Sequence, residues 1–208
     1  MIYVPKGALI LSHSGSLLGK IIRWGERKWD EKSVRVNHSM LVVEAGYWPV
    51  TEWSNEAQAW VPGNGKPDPI IVESDVTVRT THLSIHSADK LVMYDVEMTE
   101  EERGLVAAEA GHHQGHPYAA MQLFAQLIDN KLLFGHNVFR RLCSVDPLDI
   151  CSKLTGQAFQ RIGVTFGLPG YAQSPDDQDE WLRNRVTLTD AMGRIRKVTT
   201  LWDDIGDR

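Results

Sequence analysis

The chain has 208 residues, 42% hydrophobic and 24% charged, with a formal net charge of −5. That length suits one domain with its own core, and the mild acidity argues against nucleic acid, which selects a basic surface. No apolar run approaches the roughly 18 residues a membrane helix needs. The start MIYVPKGALILSHSGS lacks the basic beginning, long apolar stretch and small-residue cleavage site of a secretory signal, so a cytoplasmic location is expected. Two cysteines, Cys143 and Cys151, are too few for a disulfide scaffold, so each is either a small buried hydrophobe or a reactive thiolate.

GALILS is short and apolar and predicts a strand. In SGSLLGKIIRWGERKW, Leu17, Leu18, Ile21 and Ile22 recur at helical spacing behind a serine cap, and Lys20, Arg23, Arg27 and Lys28 make the rest of that helix basic. VNHSMLVVEA predicts a strand with His38 near its start, and VTEWSNEAQAWV a strand pair. The proline- and glycine-rich PGNGKPDP marks a loop. IIVESDVTVRTTHLS, rich in β-branched residues, predicts a strand or hairpin, and KLVMYDVEM a further strand. Thr99 with Glu102 forms a capping box that opens a helix running to Gly111. HPYAAMQLFAQLIDNKLLF predicts a second helix, and ICSKLTGQAFQRIG a third with Cys151 in its first turn. PGYAQSPDDQDEW reads as loop, TDAMGRIRKV as a short helix, and WDDIGDR as an acidic tail. Strands first and helices later, without βαβ alternation, point to α+β with an antiparallel sheet.

Cys151 is the most informative residue for chemistry. The first turn of a helix offers unpaired N–H groups and the positive end of the macrodipole, both of which favour a thiolate and can steady an oxyanion. Cys143 is the poorer candidate, because Pro147 in the following SVDPLD prevents a regular helix there. His38, at the mouth of an apolar strand, has the right chemistry for a general base. Glu73 in IIVESD and Glu52 in VTEWSN are rival carboxylates for orienting that imidazole. The histidines of GHHQGH (112, 113 and 116) and of HLSIH (82 and 86) raise a zinc alternative. HLSIH, however, follows a strand, and neither HExxH nor CxxC occurs, so no metal or other cofactor is expected.

Taken in order, GALILSHSGSLLGKIIRWGERKW, NHSMLVVE, IIVESDVTVRTTHLS, GHPYAAMQL and ICSKLTGQAF resemble the circularly permuted branch of the NlpC-type papain-like hydrolases. The YiiX-like proteins belong to that branch, and the lecithin:retinol acyltransferase type is a relative. The resemblance spans about residues 5–165. It implies a papain-like α+β domain over the whole chain, with an inserted hairpin near 47–68 and a loop-rich C-terminal extension over 168–208. By matching motifs it implies Cys151 as nucleophile, His38 as base, Glu73 rather than Glu52 as the acid, and Tyr118 of GHPY in support of the oxyanion or substrate. The sequence departs from the pattern at Ala8, where aspartate is usual, and in the longer gap between His38 and Glu73. The implied substrate is a peptide, amide or acyl ester. A lipid-directed acyltransferase or thioesterase, working at a membrane surface through the basic helix, and a non-catalytic binding module are the alternatives.

Overall fold

The computed structural model describes residues 1–15, 20, 34–48, 52–54, 59–61, 66–74, 77–116, 151–168 and 173–205. The helices expected over 14–29 and 116–134, together with Tyr118 and Cys143, fall outside that set but for their ends and Lys20.

The strands are β1 (Ile2–Val4), β2 (Leu9–His13), β3 (His38–Glu44), β4 (Gly46–Trp48), β5 (Glu52–Ser54), β6 (Ala59–Val61), β7 (Ile70–Ser74), β8 (Val78–His82), β9 (Lys90–Val96), β10 (Thr187–Thr189) and β11 (Ile195–Asp203). The helices are α1 (Glu100–His112), α2 (Cys151–Gln160) and α3 (Pro175–Arg183), and a 3-10 turn covers Leu83–His86. Seven strands form the main sheet in the order β10-β11-β9-β2-β3-β7-β8, while β1-β4 and β5-β6 make separate ribbons. Every described ladder is antiparallel.

The central strands read as unbroken apolar runs because both faces of the sheet are covered. Leu9, Leu11, Leu41, Val72, Val92 and Tyr94 pack on one face against Val106 and Ala110 of α1 and Leu154, Ala158 and Phe159 of α2. Ile10, Met40, Val42, Ile71, Leu91 and Met93 point the other way, onto Val4, Trp48 and Leu83. Each fully buried Leu, Ile or Phe contributes about 1.5–3 kcal/mol, so the alternation of two apolar sets holds the register tightly.

The strand readings for GALILS, NHSMLVVE, the Glu52–Val61 pair, the β7–β8 hairpin and β9 match the observed elements. So does the Thr99 box, in which the Glu102 N–H donates to Thr99 Oγ1 (3.2 Å) and the Thr99 N–H to Glu102 Oε2 (3.0 Å). Gly46 lets β4 run against the chain that returns from the β5–β6 excursion, since a Cβ there would lie 2.3 Å from the Pro69 nitrogen.

Two readings need correction. The segment expected as loop contains α3, opened by a second capping box in which Ser174 and Asp177 bond reciprocally with Pro175 at the first position. The helix expected over TDAMGRIRKV is instead a hairpin, β10–β11, whose turn carries Gly193 at a φ of +78°. Asp190 closes that turn by accepting from the N–H groups of Met192 and Arg194 (both 2.9 Å). Alternating Ile195, Lys197 and Thr199 outward with Arg196 and Val198 inward is a strand period. The chain beyond residue 168 thus supplies one helix and one edge of the main sheet.

Candidate active site

His38 is the first residue of β3, and the backbone just before it is clamped. The Asn37 N–H donates to the Ser12 carbonyl (2.9 Å), Asn37 Oδ1 accepts from the Ser14 N–H (2.9 Å), and His13 Nδ1 meets the Arg35 carbonyl (2.7 Å). Arg35 is itself locked, donating to both Asp179 oxygens (2.8 and 3.0 Å) and to Asp203, while Tyr94 Oη donates to Asp179 (2.6 Å).

Sheet register then selects the carboxylate. Glu73 of β7 pairs with Met40, two residues along the same face from His38, so His38 and Glu73 are diagonal neighbours within side-chain reach. His38 Nε2 donates to Glu73 Oε2 at 2.9 Å. Arg79 lies directly opposite Glu73 on β8 and gives its Nε and Nη2 to Oε1 (2.9 and 2.8 Å). After β8 the 3-10 turn brings His86 Nε2 to the same Oε2 at 3.0 Å, while His86 Nδ1 donates to Asp89 Oδ2 at 3.0 Å. Glu52 lies on β5, in a different sheet.

His38 is also hydrogen-bonded to Cys151, and because its Nε2 is held by Glu73, Nδ1 is the ring nitrogen left for the sulfur. Cys151 opens α2 and is buried, with 5% of its surface exposed. Its sulfur also receives the backbone N–H and hydroxyl of Ser39. The first turn of α2 is braced from α3: Gln178 Nε2 donates to the Ser152 carbonyl (3.1 Å) and Thr155 Oγ1 (2.9 Å), and Ser152 Oγ donates to the Gln173 carbonyl (2.7 Å).

Burial by itself would push His38 down, but the Cys151 sulfur and the Glu73 carboxylate outweigh it and raise the imidazole to about 10. Burial would push the Cys151 thiol up, yet the His38 charge and the Ser39 donors hold it below its ordinary value. Glu73 is 1% exposed, but its bonds to His38 and His86 overcome that burial and keep it well below the usual carboxylate range. His86 is raised by Asp89 and Glu73 against burial and the nearby His38. These opposed shifts favour an imidazolium–thiolate pair at neutral pH, in a form able to attack a carbonyl.

The structure therefore brings Cys151, His38 and Glu73 together, while Tyr118 lies outside the described residues. His86, Arg79 and Ser39 are site residues that sequence reasoning assigned to no such role. His86 had surfaced only as part of HLSIH; its companion His82 is largely exposed, and His112, His113 and His116 lie on or just after α1. One ligand atom from each of His38, Glu73 and His86 also lies within 4.8 Å of the others. Two imidazoles and a carboxylate are a donor set suited to zinc, and Asp89 behind His86 is the usual outer partner of a ligating histidine.

An antiparallel sheet, a cysteine at the head of a packed helix and a histidine on the facing strand make this a mixed α+β protein of the YiiX-like, papain-like fold. The crystal structure of the metalloprotein YiiX from Escherichia coli O157:H7 aligns with 96% of this chain and 97% of its own, with a TM-score of 0.51 and 16% sequence identity. At that identity the likeness speaks for the fold alone. No protein-family model matches the sequence, and no curated protein matches it. Among the described residues no helix is long and apolar enough to cross a membrane.

Proposed function

We propose that the protein is a cysteine hydrolase of the circularly permuted, NlpC-type papain-like group, acting on an amide or ester carbonyl through an acyl-enzyme. The reading rests on one observation: Glu73, His38 and Cys151 are hydrogen-bonded in line, with the sulfur at the head of α2. The chain order His, Glu, Cys differs from the Cys-first order of papain, as permutation requires.

In the first step Cys151 Sγ, its proton held by His38 Nδ1, bonds to the substrate carbonyl carbon. The carbonyl π pair moves onto oxygen, where N–H groups at the start of α2 face the developing charge. As that pair returns, the bond to the leaving amine or alkoxide breaks and His38 hands it the proton. Water then attacks the thioester with His38 taking its proton, the C–S bond breaks, and the acid leaves with Cys151 restored. Glu73 keeps the imidazole in the tautomer and plane this requires, while Arg79 holds the other oxygen of its carboxylate.

A peptide or amide is the expected substrate, in keeping with the resemblance of the motifs; an acyl ester would pass through the same thioester. The test is the rate of iodoacetamide alkylation against pH, alongside hydrolysis of a panel of peptide amides and acyl esters. Alkylation of Cys151 should already be fast below the ordinary thiol range and should lose that acid-side reactivity in His38→Gln. A wild-type profile rising only around an ordinary pKa of about 8.5 overturns the proposal.

A further inference from the structure

A Cys–His–acid relay needs one histidine, yet the Glu73 carboxylate carries two. His38 and His86 approach the same oxygen, Oε2, from two different elements, each through Nε2, at 2.9 and 3.0 Å. His86 is fixed in that direction from behind by Asp89 on its Nδ1, as a carboxylate holds a ligating histidine. Tetrahedral zinc with ligand bonds of about 2.0–2.1 Å holds its donors about 3.3 Å apart. The two imidazole nitrogens, 2.9 and 3.0 Å from Oε2, need to part from it by only about 0.3–0.4 Å, and to stand about 3.3 Å from each other, to take a cation between them. Cys151 is not among them, because the cluster of mutually close donor atoms comprises His38, Glu73 and His86 alone among the described residues. Arg79 occupies the other carboxylate oxygen, Oε1, and leaves Oε2 free to bind in monodentate fashion.

We infer that His38, Glu73 and His86 form a binding site for a divalent transition ion of the zinc type, and that occupancy of this site and use of His38 as a general base exclude each other. The exclusion follows from the lone pairs of one imidazole. His38 has two ring nitrogens, and when Nε2 gives its lone pair to a cation, Nδ1 must carry the ring's one proton. That proton then points at the sulfur of Cys151, and no nitrogen remains to accept another. The metal site stands on donor geometry by itself; its regulatory consequence rests on the hydrolase reading.

The experiment uses the full chain and zinc sulfate. After chelation and exchange into metal-free buffer, isothermal titration and metal analysis following gel filtration should find about one zinc per chain, in wild type and equally in Cys151→Ser. Cobalt in place of zinc should give the visible absorption of a tetrahedral site. His86→Gln should abolish binding, and Asp89→Asn should weaken it about 10–100-fold. In wild type, saturating zinc should slow hydrolysis of the amide and ester panel, and chelation should restore the metal-free rate. Circular dichroism on each variant separates loss of the site from loss of the fold. Absence of stoichiometric zinc from both wild type and Cys151→Ser overturns the site, as does binding by a folded His86→Gln equal to wild type. Zinc that binds while hydrolysis proceeds undiminished overturns the exclusion and keeps the site. A metal-free protein whose cysteine behaves as an ordinary thiol defeats the hydrolase reading instead, whatever the zinc result.

Discussion

The protein carries two ionic clusters on opposite sides of the start of β3, and they are built to different ends. One, Arg35–Asp179–Tyr94–Asp203, joins a permanently charged guanidinium to carboxylates, with Arg35 and Asp179 at 5% and 1% side-chain exposure. The other, Cys151–His38–Glu73–His86–Asp89, consists largely of groups that titrate, and its histidines keep 17% and 13% exposure. Arg35 is raised still further above any working pH by Asp179 and Asp203 against its burial, so the charge at the centre of that cluster is fixed and holds its shape. In the other cluster one carboxylate oxygen is shared by two imidazoles and a thiol waits beyond, so a proton, a substrate or a cation can change the pattern. A fixed network three residues before His38 is what lets a titratable one stay aligned.

The largest expected effect separates the two clusters by activity. Cys151→Ala should abolish hydrolysis, with a loss of about 10³-fold or more in kcat/KM in a protein that still folds, measured by turnover and thermal melts side by side. Glu73→Gln comes next, at about 10²–10⁴-fold in kcat, because the imidazole loses the charge that orients it. The reverse signature belongs to the other cluster. Asp179→Ala leaves Arg35 and Tyr94 buried without their shared acceptor and should cost about 3–5 kcal/mol in urea unfolding. If Asp179→Ala is instead neutral in stability, the contrast between the clusters collapses.

The pH dependence sharpens the comparison. His38 is raised in the folded state from 6.5 to about 10, so its contribution to stability is complete below about 6.5 and fades as pH rises through about 10. Glu73 is lowered from 4.5, so its contribution is complete above about 4.5 and is lost as pH falls through the lowered value. Stability should therefore decline at both ends of the range, and Glu73→Gln should flatten the acid limb in denaturation curves recorded across pH. The smallest effect is expected far from both clusters: Thr99→Ala at the cap of α1 should cost about 1 kcal/mol and leave alkylation of Cys151 untouched.

Much of the strand content was legible because it depends on local pattern. The runs at Leu9, Met40, Ile71 and Leu91 are long, apolar and bounded by turn residues, and the Thr99–Glu102 box marks its helix within four residues. The misreadings around 171–198 have one physical cause. The α3 sequence PDDQDEWLR is so polar that it resembles a loop, because beside Leu182, which joins the core, it buries Asp177, Gln178 and Asp179 in hydrogen bonds. Arg196, on the inward side of β11, is likewise hidden by ion pairs with Asp190 and Glu102, which breaks the apolar alternation by which a strand is recognised.

The sequence alone determined the class of fold, since two-sided burial writes itself as apolar strands and a capped helix announces its own start. It also singled out Cys151 and His38, because a thiol in a helix's first turn and an imidazole at a strand's mouth are local facts. Only the tertiary structure decided their company. Glu73 meets His38 through the β3–β7 register, Arg79 joins them across the β7–β8 ladder, and His86 arrives on the turn that follows. Register and turn direction are set by packing on both faces of the sheet, a sum over many distant contacts that no short stretch of sequence carries.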